Sequence, residues 1–187
     1  MKVLLIDFYD SFTFNLFHYI EGMGISIDVW EDGDVHIDEV AQYDCIIFSP
    51  GPGLPSETHA IFPVLERYAT SKKILGVCLG MQGIASFFGA ELYNQREVKH
   101  GVSEKVIITN DSLLLKDVPT VFDVGLYHSW AVKLNERLPL TEIAHSEHGV
   151  TMALKHQTLP IYGVQFHPES ILTPEGKKIV SNFIFNC

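Results

Sequence analysis

Three uninterrupted apolar runs constrain the fold of this chain more than any other feature. They are KVLLI at 2–6, CIIFS at 45–49 and KILGV at 73–77, and ISIDVW at 25–30 is a fourth candidate strand. Strands that are buried on both faces have this character, and they occur in parallel sheets that helices cover. The pattern therefore predicts an α/β protein with a mostly parallel central sheet flanked by helices.

The segments after these runs have apolar residues at the spacing of a helix. A helix is expected after Asp7, with Ser11 as its N-cap and Leu16 and Ile20 on its buried face. A second is expected over 63–70, because Pro63 is tolerated in a first turn. Further helices are predicted over 81–89 and 174–186.

The chain becomes rich in β-structure beyond Gly89. Short segments at 104–109, 120–134, 141–146, 150–156 and 161–167 alternate with turns, which predicts an antiparallel extension of the sheet. No repeat or linker interrupts the sequence. With 187 residues, the simplest expectation is a single domain over 1–187.

Composition narrows the functional classes. The 13 Lys and Arg residues against 23 Asp and Glu give a net charge of −10, which disfavours a nucleic-acid partner. No apolar run is long enough to span a membrane, and the first residues do not resemble a signal peptide. Cys45, Cys78 and Cys187 lie too far apart for a disulfide framework or a metal site, so a cytoplasmic location is expected.

Cys78 lies between two glycines in GVCLG, at the predicted junction of a strand and a helix. A sharp turn there would expose the thiol above the sheet, as in the nucleophile elbow of hydrolases. The following helix would favour the thiolate, and the Leu79 amide could donate to an oxyanion. The alternative is a cysteine that only fills the core.

A base and its orienting group are offered by GVQFHPES at 163–170. In an extended segment His167 and Glu169 would share a face, so Glu169 could fix the imidazole while His167 reaches Cys78. His128 in YHSW is the competing base. The SPGPG turn at 49–53 could supply a second oxyanion donor, most plausibly Gly53.

Together, SPGPGLPSE, GVCLGMQ, YHSW and GVQFHPESILT resemble the class I, triad-type glutamine amidotransferases over nearly the whole chain. The resemblance implies a flavodoxin-like fold and a Cys78–His167–Glu169 triad. It also implies oxyanion donors at Gly53 and Leu79. The implied glutamine pocket comprises Gly51, Pro52, Gly53, Leu79, Gln82 and the backbone of Ser129 and Trp130.

The implied reaction is hydrolysis of L-glutamine to glutamate and ammonia through a thioester on Cys78, with no metal or organic cofactor. DFYDSFTFNL at 7–16 resembles the amidotransferase subunits of anthranilate synthase and 4-amino-4-deoxychorismate synthase. That resemblance implies delivery of ammonia to a separate chorismate-using subunit, component I. The expected contact face includes Asp10, Ser11 and Asn15. The tryptophan and folate branches stay open, as does use in both.

Three positions depart from the family pattern: Met81 replaces a histidine, Leu126 an arginine and Trp130 a leucine. Two other functional classes also remain open for this chain. One is a stand-alone cysteine hydrolase of γ-glutamyl bonds, which would not explain DFYDSF or Gln82. The other is a silent regulatory homologue, which an intact triad disfavours.

Overall fold

The computed structural model has one mixed nine-stranded sheet, in the order β2-β1-β3-β4-β9-β8-β7-β5-β6. Side chains are described for residues 1–95 and 99–187. The strands are β1 (Lys2–Asp7), β2 (Ser26–Glu31), β3 (Cys45–Phe48), β4 (Lys73–Val77), β5 (Glu91–Ile108), β6 (Val121–Lys133), β7 (Leu140–Ser146), β8 (Thr151–His156) and β9 (Ile161–Val164).

The apolar runs form a parallel half, in which β2, β1, β3, β4 and β9 are neighbours. Successive side chains of a strand point to opposite faces, so each run supplies two cores. Val3 and Leu5 pack into one core, whereas Leu4 and Ile6 pack into the other. This two-sided burial explains why β1, β3 and β4 have no polar positions in their centres. The edge strand β2 is only partly buried and carries Asp28.

Four helices cover the two faces: α1 (Thr13–Glu21), α2 (Ile61–Tyr68), α3 (Leu79–Phe87) and α4 (Gly176–Phe185). Helices α1 and α4 pack on the core that contains Val3, and α2 and α3 pack on the core that contains Leu4. The predicted N-cap Ser11 is wrong. Phe12 occupies the cap position without a side-chain bond, and Asp7 and Asp10 accept the hydrogen bonds of this turn instead.

The β-rich second half forms the predicted antiparallel extension, with β9–β8, β8–β7, β7–β5 and β5–β6 all antiparallel. The α/β prediction is confirmed, with the sheet divided between a parallel and an antiparallel half. The strand expected over 161–167 ends at Val164, because the chain turns away after β9. Among the described residues, no helix has the length and apolar character needed to cross a bilayer.

Candidate active site

Cys78 lies at a sharp turn between β4 and α3. Its backbone angles, φ 50° and ψ −102°, fall in a region that residues with a side chain rarely adopt. The Cys78 amide donates to Val164 O at 2.8 Å, which fixes the turn to the end of the neighbouring strand β9. This is the strained turn that the GVCLG spacing predicts.

The two glycines around Cys78 let strand and helix approach closely. A methyl group on Gly76 would lie 2.3 Å from the Gly80 carbonyl carbon, and one on Gly80 would lie 2.5 Å from Phe48 Cβ. Either contact is too short for a real side chain. The close packing of β4, α3 and β3 therefore depends on both glycines.

His167 and Glu169 form a buried pair just beyond β9. His167 Nδ1 lies 2.7 Å from Glu169 Oε1, and the two side chains are 2% and 0% exposed. The expectation that an extended segment brings them together is wrong, since this part of the chain is a turn. The Ser170 amide donates to His167 O at 3.2 Å, and this turn places the two side chains next to each other.

Burial lowers the pKa of His167, but interactions with Cys78 and Glu169 outweigh it and raise the pKa to about 10. The Nε2 atom of His167 has no hydrogen-bond partner among the described residues, and neither does Glu169 Oε2. Cys78 therefore acts on the ring from close range, although Sγ and Nε2 do not have the geometry of a formed hydrogen bond. The arrangement holds a protonatable ring atom free beside a thiol.

The competing histidine, His128, has a different environment. Its Nδ1 lies 2.8 Å from Trp130 O and 3.0 Å from Gln95 Nε2, and no carboxylate among the described residues is bonded to the ring. Burial lowers the pKa of His128, and the nearby His167 lowers it further. A neutral imidazole without an orienting carboxylate is the poorer general base of the two.

A cleft of about 120 Å³ opens beside Cys78. The residues that line it come from the turn after β3, from the elbow and from β6; they are Gly51, Pro52, Gly53, Cys78, Gln82, Tyr127, His128, Ser129 and Trp130. The structure thus brings the sequence-predicted pocket residues together. The exception is Leu79, whose side chain packs toward Gly51 and lines a neighbouring cavity.

A hydrogen-bonded chain of amides crosses the floor of this cleft. Gln82 Nε2 donates to Trp130 O at 3.0 Å and to Gln165 Oε1 at 3.2 Å, and Gln165 Nε2 lies 3.5 Å from Cys78 Sγ. Trp130 O also accepts from His128, so both of its lone pairs are used within the protein. Ser129 is therefore the better candidate for a backbone contact with a ligand.

Gln165 was missed by sequence reasoning, although GVQFHPES contains it. A signal was present in the sequence, because a segment predicted to be extended would place Gln165 and His167, two residues apart, on one face. Gln165 is fully buried and is the side chain that donates toward the thiol.

The two expected oxyanion donors belong to different segments, Gly53 to the loop after β3 and Leu79 to the start of α3. Gly53 has φ +75°, and a methyl group there would lie 2.4 Å from Glu57 Oε2. The same carboxylate oxygen accepts from the Leu54 amide at 2.7 Å, which holds the glycine loop in place. Leu79 is the first residue of α3, where amides have no acceptor within the helix. Their role at an oxyanion stays a prediction.

The family model described as "Glutamine amidotransferase class-I" matches residues 4–187. The chain belongs to the class-I glutamine amidotransferase family. It is 41% identical to anthranilate synthase component 2 of Mycobacterium tuberculosis, over 100% of this chain and 83% of that one. It is 38% identical to aminodeoxychorismate/anthranilate synthase component 2 of Bacillus subtilis, over 97% and 95%.

Solved structures confirm the glutamine amidotransferase fold. A protein described as a GMP synthase subunit, from Thermoplasma acidophilum, superposes with a TM-score of 0.89 at 25% identity, covering 98% of this chain and 92% of that one. The predicted family and fold are therefore confirmed.

The departures of this amidotransferase from the family pattern lie mostly in its core. Met81 and Leu126 are fully buried, and the Met81 side chain packs against Gly163. Apolar side chains suit both positions, since an unpaired charge would be costly there. Trp130 is only half buried and lines the cleft.

One group of described residues has the spacing of metal ligands: Asp10, His167 and Glu169, with ligand atoms within 4.8 Å of one another. Two of these residues already bond each other in the His167–Glu169 pair. Another cavity, of about 790 Å³, lies away from Cys78, between 108–120 and the turn before β9. It is an open groove without a cysteine in its wall, so the smaller cleft is the chemically equipped one.

Proposed function

We propose that this amidotransferase is the glutaminase subunit of a chorismate-using synthase, with Cys78, His167 and Glu169 as its triad. The main support for the proposal is the buried His167–Glu169 pair, in which Nδ1 and Oε1 are 2.7 Å apart, next to a cysteine on a strained turn. A core cysteine would need neither the strain nor the free imidazole nitrogen.

The chemistry follows from these positions. The proton of the Cys78 thiol passes to His167 Nε2, a transfer that the raised pKa of His167 favours, and Cys78 Sγ then attacks the side-chain amide carbon of L-glutamine. The tetrahedral oxyanion is stabilised by the amides of Gly53 and Leu79. His167 then returns the proton to the departing nitrogen, which leaves as ammonia, and water hydrolyses the γ-glutamyl thioester to glutamate. Glu169 holds the imidazole and stabilises its protonated form. No step requires a metal or an organic cofactor.

The glutamine pocket is the cleft beside Cys78. Both N–H groups of the Gln82 amide are bonded within the protein, so Gln82 offers its oxygen to a ligand. Gly51, Pro52 and Gly53 form the facing wall. A cleft of about 120 Å³ suits a single small amino acid and disfavours a peptide substrate.

The ammonia acceptor is a separate chain, component I of an anthranilate or aminodeoxychorismate synthase. The names of the Mycobacterium and Bacillus relatives support this assignment, and the Bacillus name includes both products. The proposed contact face includes Asp10, Ser11 and Asn15, of which Ser11 and Asn15 are exposed. Exposed Tyr9 and Phe14 flank them.

Ile171 is a further candidate for contact with the partner. It is 94% exposed and lies two residues after Glu169. An isolated apolar side chain at the surface is common, but one only two residues from a proposed catalytic residue suits contact with a partner. A reducing cytoplasm is the proposed location, which the three free cysteines support.

The test combines the protein with each candidate synthase subunit from the same organism, chorismate and L-glutamine. One product with one partner assigns the pathway, and both products indicate a shared subunit. Cys78→Ala is the matched control, since it should abolish glutamine-dependent product and leave ammonia-dependent product intact. Glutamine use by Cys78→Ala would contradict the mechanism, and no glutamine-dependent product with either partner would contradict the assignment.

A further inference from the structure

The imidazole of His167 is held more loosely than its backbone. The His167 amide donates to Gly125 O at 3.1 Å, and its carbonyl accepts from Thr173 Oγ1 at 2.6 Å. The ring itself has one hydrogen bond, from Nδ1 to Glu169 Oε1, while Nε2 has no partner among the described residues. A single bond at Nδ1 leaves the ring free to tilt, so other contacts must set the direction of Nε2.

Two aromatic rings provide those contacts. The Tyr127 ring lies 4.7 Å from the imidazole between centroids, at an interplanar angle of 61°. The Phe12 ring lies 5.6 Å away at 74°. The two rings also contact each other at 5.1 Å, so Phe12, Tyr127 and His167 form a closed group of three rings. Such edge-to-face contacts are favourable and directional.

The two rings are themselves fixed from different parts of the fold. Tyr127 projects from β6, and its hydroxyl lies 3.1 Å from Ser170 Oγ, the residue after Glu169. Phe12 precedes α1, and its amide donates to Asp10 Oδ1 at 2.8 Å. Phe12 does not line the cleft beside Cys78, whereas Tyr127 does. The role of Phe12 can therefore be separated from direct contact with the substrate.

We propose that Phe12 and Tyr127 are positioning residues that hold the His167 imidazole so that Nε2 faces Cys78 Sγ during glutamine hydrolysis. This inference rests on the proposed function. Nε2 must accept the thiol proton and later return it to ammonia, so its direction has to persist through both transfers.

The test measures glutamine hydrolysis by the complex of this chain with its synthase subunit. Phe12→Leu removes one ring, and we expect kcat to fall about tenfold with KM nearly unchanged, since misplacement of a catalytic group acts mainly on the chemical step. Tyr127→Leu should lower kcat at least as much. Tyr127→Phe keeps the ring and should restore most of the activity.

Phe17→Leu is the matched control. Phe17 lies on α1 and packs against the core that contains Val3, and its ring contacts Phe14 and His18. The same substitution there should leave kcat unchanged. An equal loss of kcat in Phe17→Leu would overturn the proposal, because general packing of α1 would then explain the effect.

A second readout separates positioning from folding. The rate at which iodoacetamide alkylates Cys78, followed by mass spectrometry against pH, reports formation of the thiolate. A less firmly placed imidazole in Phe12→Leu should support the thiolate less well and move the acid limb of this profile to higher pH, with no movement in Phe17→Leu. An unmoved profile with wild-type kcat in Phe12→Leu and Tyr127→Leu would overturn the positioning role. No hydrolysis by the wild-type complex would instead overturn the proposed function and this inference with it.

Discussion

The two halves of the sheet contribute to one cleft in different ways. The parallel half places reactive side chains just beyond strand ends, Cys78 after β4 and His167 after β9. The antiparallel half contributes a wall from within a strand, residues 127–130 of β6. The carboxyl ends of parallel strands lie at a common edge of the sheet, so the loops that follow them come together there. A wall made from the middle of a strand needs a local irregularity.

That irregularity is present in the β5–β6 ladder. The register shifts between the Asn94–Trp130 and Lys99–His128 pairs, opposite Ser129, and again between His100 and Val102. Shifts of this kind re-aim side chains and are frequent beside active sites. The parallel half thus supplies the reactive groups and the antiparallel half supplies the shape of the cleft, so substitutions in each should have different kinetic signatures.

The largest expected effect lies in the parallel half. His167→Ala should lower kcat for glutamine hydrolysis by about a thousandfold or more, because it removes the group that transfers the proton. Glu169→Gln should cost about ten- to a hundredfold, since it weakens orientation and leaves the base in place.

His128→Gln is the matched change in the antiparallel wall. Its effect should fall mainly on KM, because His128 lines the cleft and bonds Trp130 O without taking part in proton transfer. Steady-state glutamine hydrolysis measures all three variants. A larger loss in Glu169→Gln than in His167→Ala would give Glu169 a different role, and a kcat loss in His128→Gln like that of His167→Ala would make His128 the base.

The free energy of unfolding should also respond differently to substitutions in the two halves of the sheet. Gly80→Ala would force a methyl group to 2.5 Å from Phe48 Cβ, and we expect a loss of about 3 kcal/mol in the free energy of unfolding. Gly149 lies in the turn between β7 and β8, and a methyl group there would have no atom within 4 Å. The only cost of Gly149→Ala is then the strain of a side chain at a φ of +75°. That strain should cost about 1 kcal/mol. Urea unfolding measures both, and equal losses would contradict the close packing at the elbow.

Sequence reasoning predicted the parallel half well because its signals are local. Each apolar run became a strand at nearly the expected bounds, and β4 (Lys73–Val77) matched completely. The GVCLG spacing predicted the strained turn at Cys78 for a physical reason, since Gly76 and Gly80 allow the contact of strand and helix. The roles of the triad remain predictions that the geometry supports.

The features that sequence reasoning did not predict depend on contacts between distant parts of the chain. Nothing in the chain near Phe12 indicates a ring contact with His167, which lies far away in sequence. The cap at Ser11 failed because Asp7 and Asp10 are better placed acceptors once β1 has ended. The turn at 167–170 and the register shifts of β5 likewise depend on neighbours that only the folded sheet provides.

The two buried histidines should respond to pH in opposite directions. The pKa of His167 is raised from 6.5 to about 10, so the folded state retains a proton that the unfolded state loses, and stability falls as pH rises between these values. The pKa of His128 is lowered from 6.5, chiefly by burial, so stability falls as pH drops below 6.5.

Denaturant unfolding from about pH 5 to 10 tests this contrast. Glu169→Gln removes one of the interactions that raise the pKa of His167, so the alkaline decline in stability should become shallower. His128→Gln removes the group that resists protonation, so the acid decline should become shallower. Unchanged slopes in both variants would contradict the assigned charge states.

The smallest effect is expected at the most unusual residue of the wall. Trp130 lines the cleft, and its backbone carbonyl oxygen accepts hydrogen bonds from Gln82 and His128. Substitution of the side chain leaves that carbonyl in place. Trp130→Leu should therefore change KM for glutamine by less than about threefold, with kcat unchanged. Gln82→Leu is the matched comparison, because it removes the donor to the same carbonyl and should raise KM about tenfold. A larger effect in Trp130→Leu than in Gln82→Leu would mean that the indole itself contacts glutamine, and the antiparallel half would then supply specificity through a side chain as well as shape.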